Sequence, residues 1–201
     1  MLGRNTYLRV VFIAMVLCFG PNPRAMAETP KAQLQETIER VMEVLQTIRS
    51  AEDIATNKGV FQRILLERFD FAEMARRSLG SQWDNLNEKK GEFVLAFTQF
   101  IERSYLGRLG SYRGEKIVYG REQVNQEFGK VDTQVVGGRG DPIEVDYRLY
   151  LVGGEWKVYD VVIDQVSLVS NYRSQFRRVL QKSSLEELLR RLHEKGSDHE
   201  S

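Results

Sequence analysis

The chain has 201 residues, 29 Lys and Arg against 28 Asp and Glu, two histidines and one cysteine. A net charge of +1 with interspersed signs gives no electrostatic footprint for nucleic acid. Both histidines, His193 and His199, stand at the extreme C-terminal end, which leaves no basis for Ser-His-Asp or Cys-His catalysis or for an ordinary zinc site.

Residues 1–27 read as a cleaved secretory signal peptide. Arg4 and Arg9 supply the positive start and Val10 to Phe19 an unbroken apolar run. Gly20, Pro21 and Pro23 break the helix, and Ala25-Met26-Ala27 is a small-x-small cleavage site. The apolar run is short for a membrane span. Losing Arg4, Arg9, Arg24 and Cys18 with this segment leaves 174 residues of charge −2 and no cysteine, hence no disulfide and no thiol nucleophile. That length fits one ordinary soluble domain over 28–195, with a polar frayed tail at 196–201.

Leu34, Ile38, Val41, Leu45 and Ile48 recur every three or four residues, which predicts an amphipathic helix over 30–56, stopped by Asn57-Lys58-Gly59. Val60 to Phe69 starts another. Asp70 caps a short helix from Phe71 to Leu79 with Gly80 behind it, and a longer one from Asn87 presents Phe93, Phe97, Phe100, Ile101 and Tyr105 on one face. Gly107, Gly110 and Gly114 end the helical half. The period then changes to two, predicting strands at 115–119, 130–136, 143–152 and 155–163, with turns at 137–142 and Gly153-Gly154. Ser167 or Ser170 caps a helix through Val169, Tyr172 and Phe176, and Ser183 with Glu186 forms a capping box for the last one. Helices, an antiparallel meander, then helices define an α+β domain with helices packed on one sheet face.

Motifs for chemistry are sparse. The clusters Gly107-Arg108-Leu109-Gly110 and Gly137 to Gly140 lack nucleotide-binding spacing and read as turns. Arg139-Gly140-Asp141 ahead of Pro142 is a hairpin tip, and the doublets Arg76-Arg77, Arg177-Arg178 and Arg190-Arg191 read as solvated helix faces, with contact to an anionic headgroup or a partner as the alternative. Asp160 beside Tyr159 on an apolar strand fits proton abstraction next to a carbonyl; the plainer reading pairs Asp160 with an arginine or turns it to the wet sheet face. Large apolar and aromatic side chains are abundant, and composition alone does not separate a packed core from a lined cavity.

One resemblance separates them. Trp156-Lys157-Val158-Tyr159-Asp160-Val161, Val166-Ser167-Leu168-Val169, Asn171-Tyr172-Arg173 and Gln175-Phe176 resemble the C-terminal signature of the MlaC family, the periplasmic phospholipid-shuttle proteins also known as toluene-tolerance auxiliary proteins. Upstream, Phe69-Asp70-Phe71, Met74-Ala75, Leu79-Gly80, Trp83, the aromatic face of the long helix and Val145-Asp146-Tyr147-Arg148-Leu149 are similar in the same order, over about residues 60–195. Gln165 stands where the family's glycine is expected, which implies a different turn there.

The resemblance implies a curved antiparallel sheet packed against several helices, an NTF2-like architecture with extra helices, enclosing an apolar lipid cavity. It implies a periplasmic phospholipid carrier working with an inner-membrane lipid-transport ABC complex and an outer-membrane lipoprotein, without enzyme activity, cofactor or metal, and with monomer as the default state. Two tails of about fifteen CH₂ groups each lose on the order of 24 kcal/mol on meeting water, so the interior must be as oily as a bilayer. The lining it implies is Phe71, Met74, Trp83, Phe97, Ile101 and Tyr105 as roof, and Tyr147, Leu149, Val161 and Ile163 as floor. Val166, Val169, Tyr172 and Phe176 close one side. Arg76 and Arg173 are placed at the mouth for a phosphate, with a structural bond from Arg173 to Asp160 or a backbone carbonyl as the alternative. A carrier for another lipid such as a hopanoid, and a small-molecule isomerase using Asp160, stay open.

Overall fold

The computed structural model describes residues 28–106, 112–137 and 140–194. The expected leader, Gly107 to Gly110, Arg139, His199 and the tail lie outside the described residues. Thr29 caps the first helix, α1 (Pro30–Thr47), its Oγ1 accepting from the Ala32 N–H at 3.2 Å while Pro30 takes the position where no N–H is needed. The helix expected to run to residue 56 ends earlier. Ser50 and Asp53 form a capping box in which Asp53 N–H donates to Ser50 Oγ at 3.2 Å and Ser50 N–H to Asp53 Oδ2 at 2.9 Å, so α2 (Ala51–Arg68) starts there. It then runs through Asn57-Lys58-Gly59. A single glycine costs a helix about 1 kcal/mol, too little to end one that is capped at its start and packed through Phe61 and Ile64.

Asp70 accepts from the Glu73 N–H at 2.8 Å to open α3 (Phe71–Leu79), as expected, and Gly80 at φ +58 ends it with a conformation that glycine takes without strain. A 3-10 segment, Gly80–Lys89, comes next. Asn87 sits inside it at φ +48, which is why α4 (Lys90–Leu106) begins three residues later than its apolar pattern predicts.

The sheet is a meander in the order β1 (Lys116–Asn125), β2 (Phe128–Val136), β3 (Ile143–Val152), β4 (Glu155–Ile163) and β5 (Val166–Ser167), every neighbour antiparallel. Strand β1 is twice the expected length. A register shift between Tyr119 and Glu122 interrupts its alternation, and its turn at Gln126, φ +53, carries no glycine signal. Strand β4 has a bulge too, because Arg148 pairs with Asp160 but Leu149 with Val158. The extra residue, Tyr159, brings Trp156, Val158, Val161 and Ile163 into one cluster and leaves Asp160 for the opposite side. Asp164 and Gln165 form the two-residue turn into β5, both at positive φ, +44 and +68. The expected departure is thus overturned: the ladder between Ile163 and Val166 holds Gln165 in the left-handed conformation that a glycine would adopt.

Ser167 caps α5 (Leu168–Lys182), accepting from the Ser170 N–H at 3.0 Å. Ser184, not Ser183, caps α6 (Leu185–Glu194), its Oγ accepting from the Glu187 N–H at 3.3 Å. Helices α3, α4, α5 and α6 pack on one another around Phe93, Phe97, Phe100, Tyr172 and Phe176, with ring centroids 5.3 to 6.2 Å apart. Helix α1 instead lies against the sheet, over Leu34, Val131, Leu149 and Trp156. Pro30 sits so close to Gly129 that a Cβ there would come within 3.0 Å of its ring. Phe69 joins the two layers through a parallel bridge to Val158, and the Asp70 N–H donates to the Val158 carbonyl at 2.9 Å.

Candidate binding site

The C-terminal half of α1 does not close on the sheet. Between them lies a cavity of about 330 Å³, at the small end of the range for ligand pockets. Its walls are Thr37, Ile38, Val41, Met42 and Leu45 of α1, Leu65 and Phe69 at the end of α2, Tyr112, Glu115 and Ile117 leading into β1, Val135 of β2 and Tyr147 of β3. Eight of these twelve are aliphatic, Met or Phe. The α1 stripe is tightly packed at Leu34 and continues past it to Ile38, Val41 and Leu45, which face the hollow.

The polar lining groups are partly occupied. Thr37 Oγ1 donates to the Gln33 carbonyl at 3.0 Å and accepts from Arg68 Nε at 3.0 Å. Arg68, buried, also donates to the Trp156 carbonyl at 2.7 Å, and burial pulls its pKa down. The Glu115 carboxylate accepts from the Arg113 N–H at 2.7 Å, a bond that lowers its pKa. Burial alone pushes the Tyr147 phenol up to about 12, so the hydroxyl is a neutral donor at physiological pH.

Of the expected lining, Tyr147 stands on this wall. Leu149 and Val161 are buried between α1 and the sheet, with Ile163 packed beside them. Phe71, Met74, Phe97, Ile101, Val169, Tyr172 and Phe176 are brought together, with Trp83 and Tyr105 at the margin, but inside the helical layer and away from the hollow. Val166 is 56% exposed on β5. Arg76 pairs with Glu73 at 2.6 Å, and Arg173 Nε donates to the Arg77 carbonyl at 2.8 Å, the backbone alternative. The α1 residues were visible as an apolar stripe; nothing in their spacing distinguishes a stripe facing a core from one facing a void.

Asp160 is 2% exposed and fully engaged. It accepts from Arg148 Nη1 at 3.0 Å, Ser167 Oγ at 2.7 Å and the Val169 N–H at 3.1 Å. It holds the start of α5 against β4, the paired reading of the two. Among the described residues no group of His, Cys, Asp and Glu is placed to hold a metal, and no helix is long and apolar enough to cross a membrane.

A five-stranded antiparallel sheet, a helical layer at its edge and an apolar hollow under one helix define an α+β ligand-holding domain. The chain belongs to the family described as MlaC protein, whose pattern it matches over residues 35–194. It is 24% identical over 182 residues to the intermembrane phospholipid transport system binding protein MlaC of Haemophilus influenzae, covering 86% of this chain and 85% of that one. It is 23% identical over 180 residues to the toluene tolerance protein ttg2D of Pseudomonas putida, covering 85% and 82%. The fold is that of a phospholipid-binding protein from Ralstonia solanacearum solved with a phospholipid, at a TM-score of 0.74 and 20% identity, over 85% of this chain and 98% of that one.

Proposed function

We propose that this protein is a periplasmic phospholipid carrier, exported by its N-terminal segment, that takes lipid from one membrane's transport complex and delivers it to another's. The observation that carries the reading is the apolar hollow under α1, in a chain with one relative named for phospholipid transport and a structural neighbour named for phospholipid binding. Its partners are an inner-membrane ABC complex and an outer-membrane lipoprotein, it acts as a monomer, and it uses no cofactor and no catalytic residue. Asp160 supports the last point, since all its visible bonding is structural.

The cargo's tails take the place between Ile38, Val41, Val135 and Tyr147. The hollow lies directly under α1, so the tails enter as the α1–α2 pair lifts from the sheet. That pair is the easier part to move, because around Leu45 and Phe61 it packs chiefly on its own side chains and Tyr112.

Organic extraction of protein purified without detergent should yield phospholipid. In a transfer assay between donor and acceptor vesicles separated by a dialysis membrane, the wild type should move labelled phospholipid, and Ile38→Asp, which puts a charge in hydrocarbon, should slow it by more than about tenfold. Lipid-free protein with no transfer contradicts the proposal, and a non-phospholipid extract redirects it to another cargo.

A further inference from the structure

Two phenols on the sheet wall show no hydrogen bond among the described residues. Tyr147, half-buried, lines the hollow, its ring edge-on to Phe69 at 6.4 Å, and desolvation holds its phenol in the neutral form. Tyr119 lies two residues beyond the lining residue Ile117, packed against the same cluster, and its hydroxyl is sealed from solvent without a hydrogen-bond partner among the described residues. The neighbouring hydroxyls differ. Thr37 is doubly bonded, and Thr133 Oγ1 donates to the Val145 carbonyl at 2.6 Å. An unmet hydroxyl sealed from solvent, as that of Tyr119 is, is destabilising, and natural interiors rarely retain one without a reason, whereas the Tyr147 hydroxyl loses water once the hollow is filled.

On the carrier reading, hydrocarbon alone would leave both donors unmet. The polar atoms joined directly to an acyl chain are its ester oxygens, which are acceptors only and carry no charge, and so match neutral phenol donors inside a low-dielectric wall. A phosphate is poorly suited there, because a buried anion needs a cation and no lining residue supplies one. We infer that Tyr147, joined by Tyr119 when α1 lifts, binds the ester carbonyl of the cargo's acyl linkage and so favours ester-linked over ether-linked phospholipid. The hydroxyls fix where the chain begins, and the apolar lining accepts the methylenes beyond that point without discrimination.

The test is competitive loading. The mature protein is incubated with vesicles holding equal amounts of diester and diether phosphatidylglycerol of the same chain length, re-isolated, and its lipid extracted for mass spectrometry. One hydrogen bond predicts an ester preference of about fivefold in the wild type. In the Tyr119→Phe and Tyr147→Phe double variant the ratio should fall to about one. A wild-type ratio of one, the result if water meets both hydroxyls, overturns the inference and leaves the carrier reading intact; so does a preference that survives in the variants. Recovery of neither lipid defeats the carrier reading itself. The two single variants, each checked for its circular dichroism, give the same comparison if the double variant does not fold, and the wild-type ratio stands without any variant.

Discussion

Asp160 shows how a single side chain joins two layers of the fold. Its carboxylate answers Arg148 on β3, Ser167 and the backbone of Val169 at the start of α5. Replacing it with alanine strands a half-buried hydroxyl and a buried helix N–H, so Asp160→Ala should lose about 2–4 kcal/mol in urea unfolding. An unchanged midpoint would show that those bonds do not matter. Tyr147 yields a pH dependence. Its phenol is held at about 12 when folded against about 10 unfolded, so the folded state favours the protonated form. The resulting stability is complete below pH 10 and is lost as pH rises through 12, and Tyr147→Phe should flatten that part of the alkaline unfolding curve. At this scale the sequence was only partly legible. A carboxylate beside a tyrosine reads alike whether it binds a substrate or caps a helix, and the bulge that turns Asp160 away from Trp156 and Val158 leaves no mark on the periodicity.

Helix ends were readable where a side chain does the capping and misread where glycine was taken as a stop. Asp70, Ser167 and Gly80 act as their chemistry predicts. Gly59 does not, because the capping box at Ser50 and Asp53 sets the start of α2 before the glycine is reached. Gly59 has nothing within 4 Å of where a Cβ would stand, so Gly59→Ala should stabilise the protein by about 1 kcal/mol in thermal or chemical unfolding. A loss would mean that the helix is broken there after all. The missed half of β1 has a similar cause. A bulge and a glycine-free turn at Gln126 give none of the signals by which strands and hairpins are recognised.

Across the whole molecule two kinds of apolar surface pack differently. The aromatic rings of α4 and α5 interlock, and Phe97 is wholly buried among Phe93, Tyr172 and Phe176. They form a packed block that meets the sheet edge through Phe69 and Val158. The hollow is on the other side of Phe69, under α1, where aliphatic side chains leave space. The class of fold and the oily character of the interior could be read from the chain, since both follow from pattern and composition. Which apolar stripe meets a void depends on how far α1 stands from the sheet, a distance set by Pro30, Gly129 and the buried Arg68 network and written in no local spacing. The most direct test is a crystal structure of protein loaded with a phospholipid brominated along its acyl chains. Anomalous signal running between Ile38, Val41, Val135 and Tyr147 is the predicted result; signal among Phe97, Phe100, Tyr172 and Phe176, or none within the protein, would contradict it.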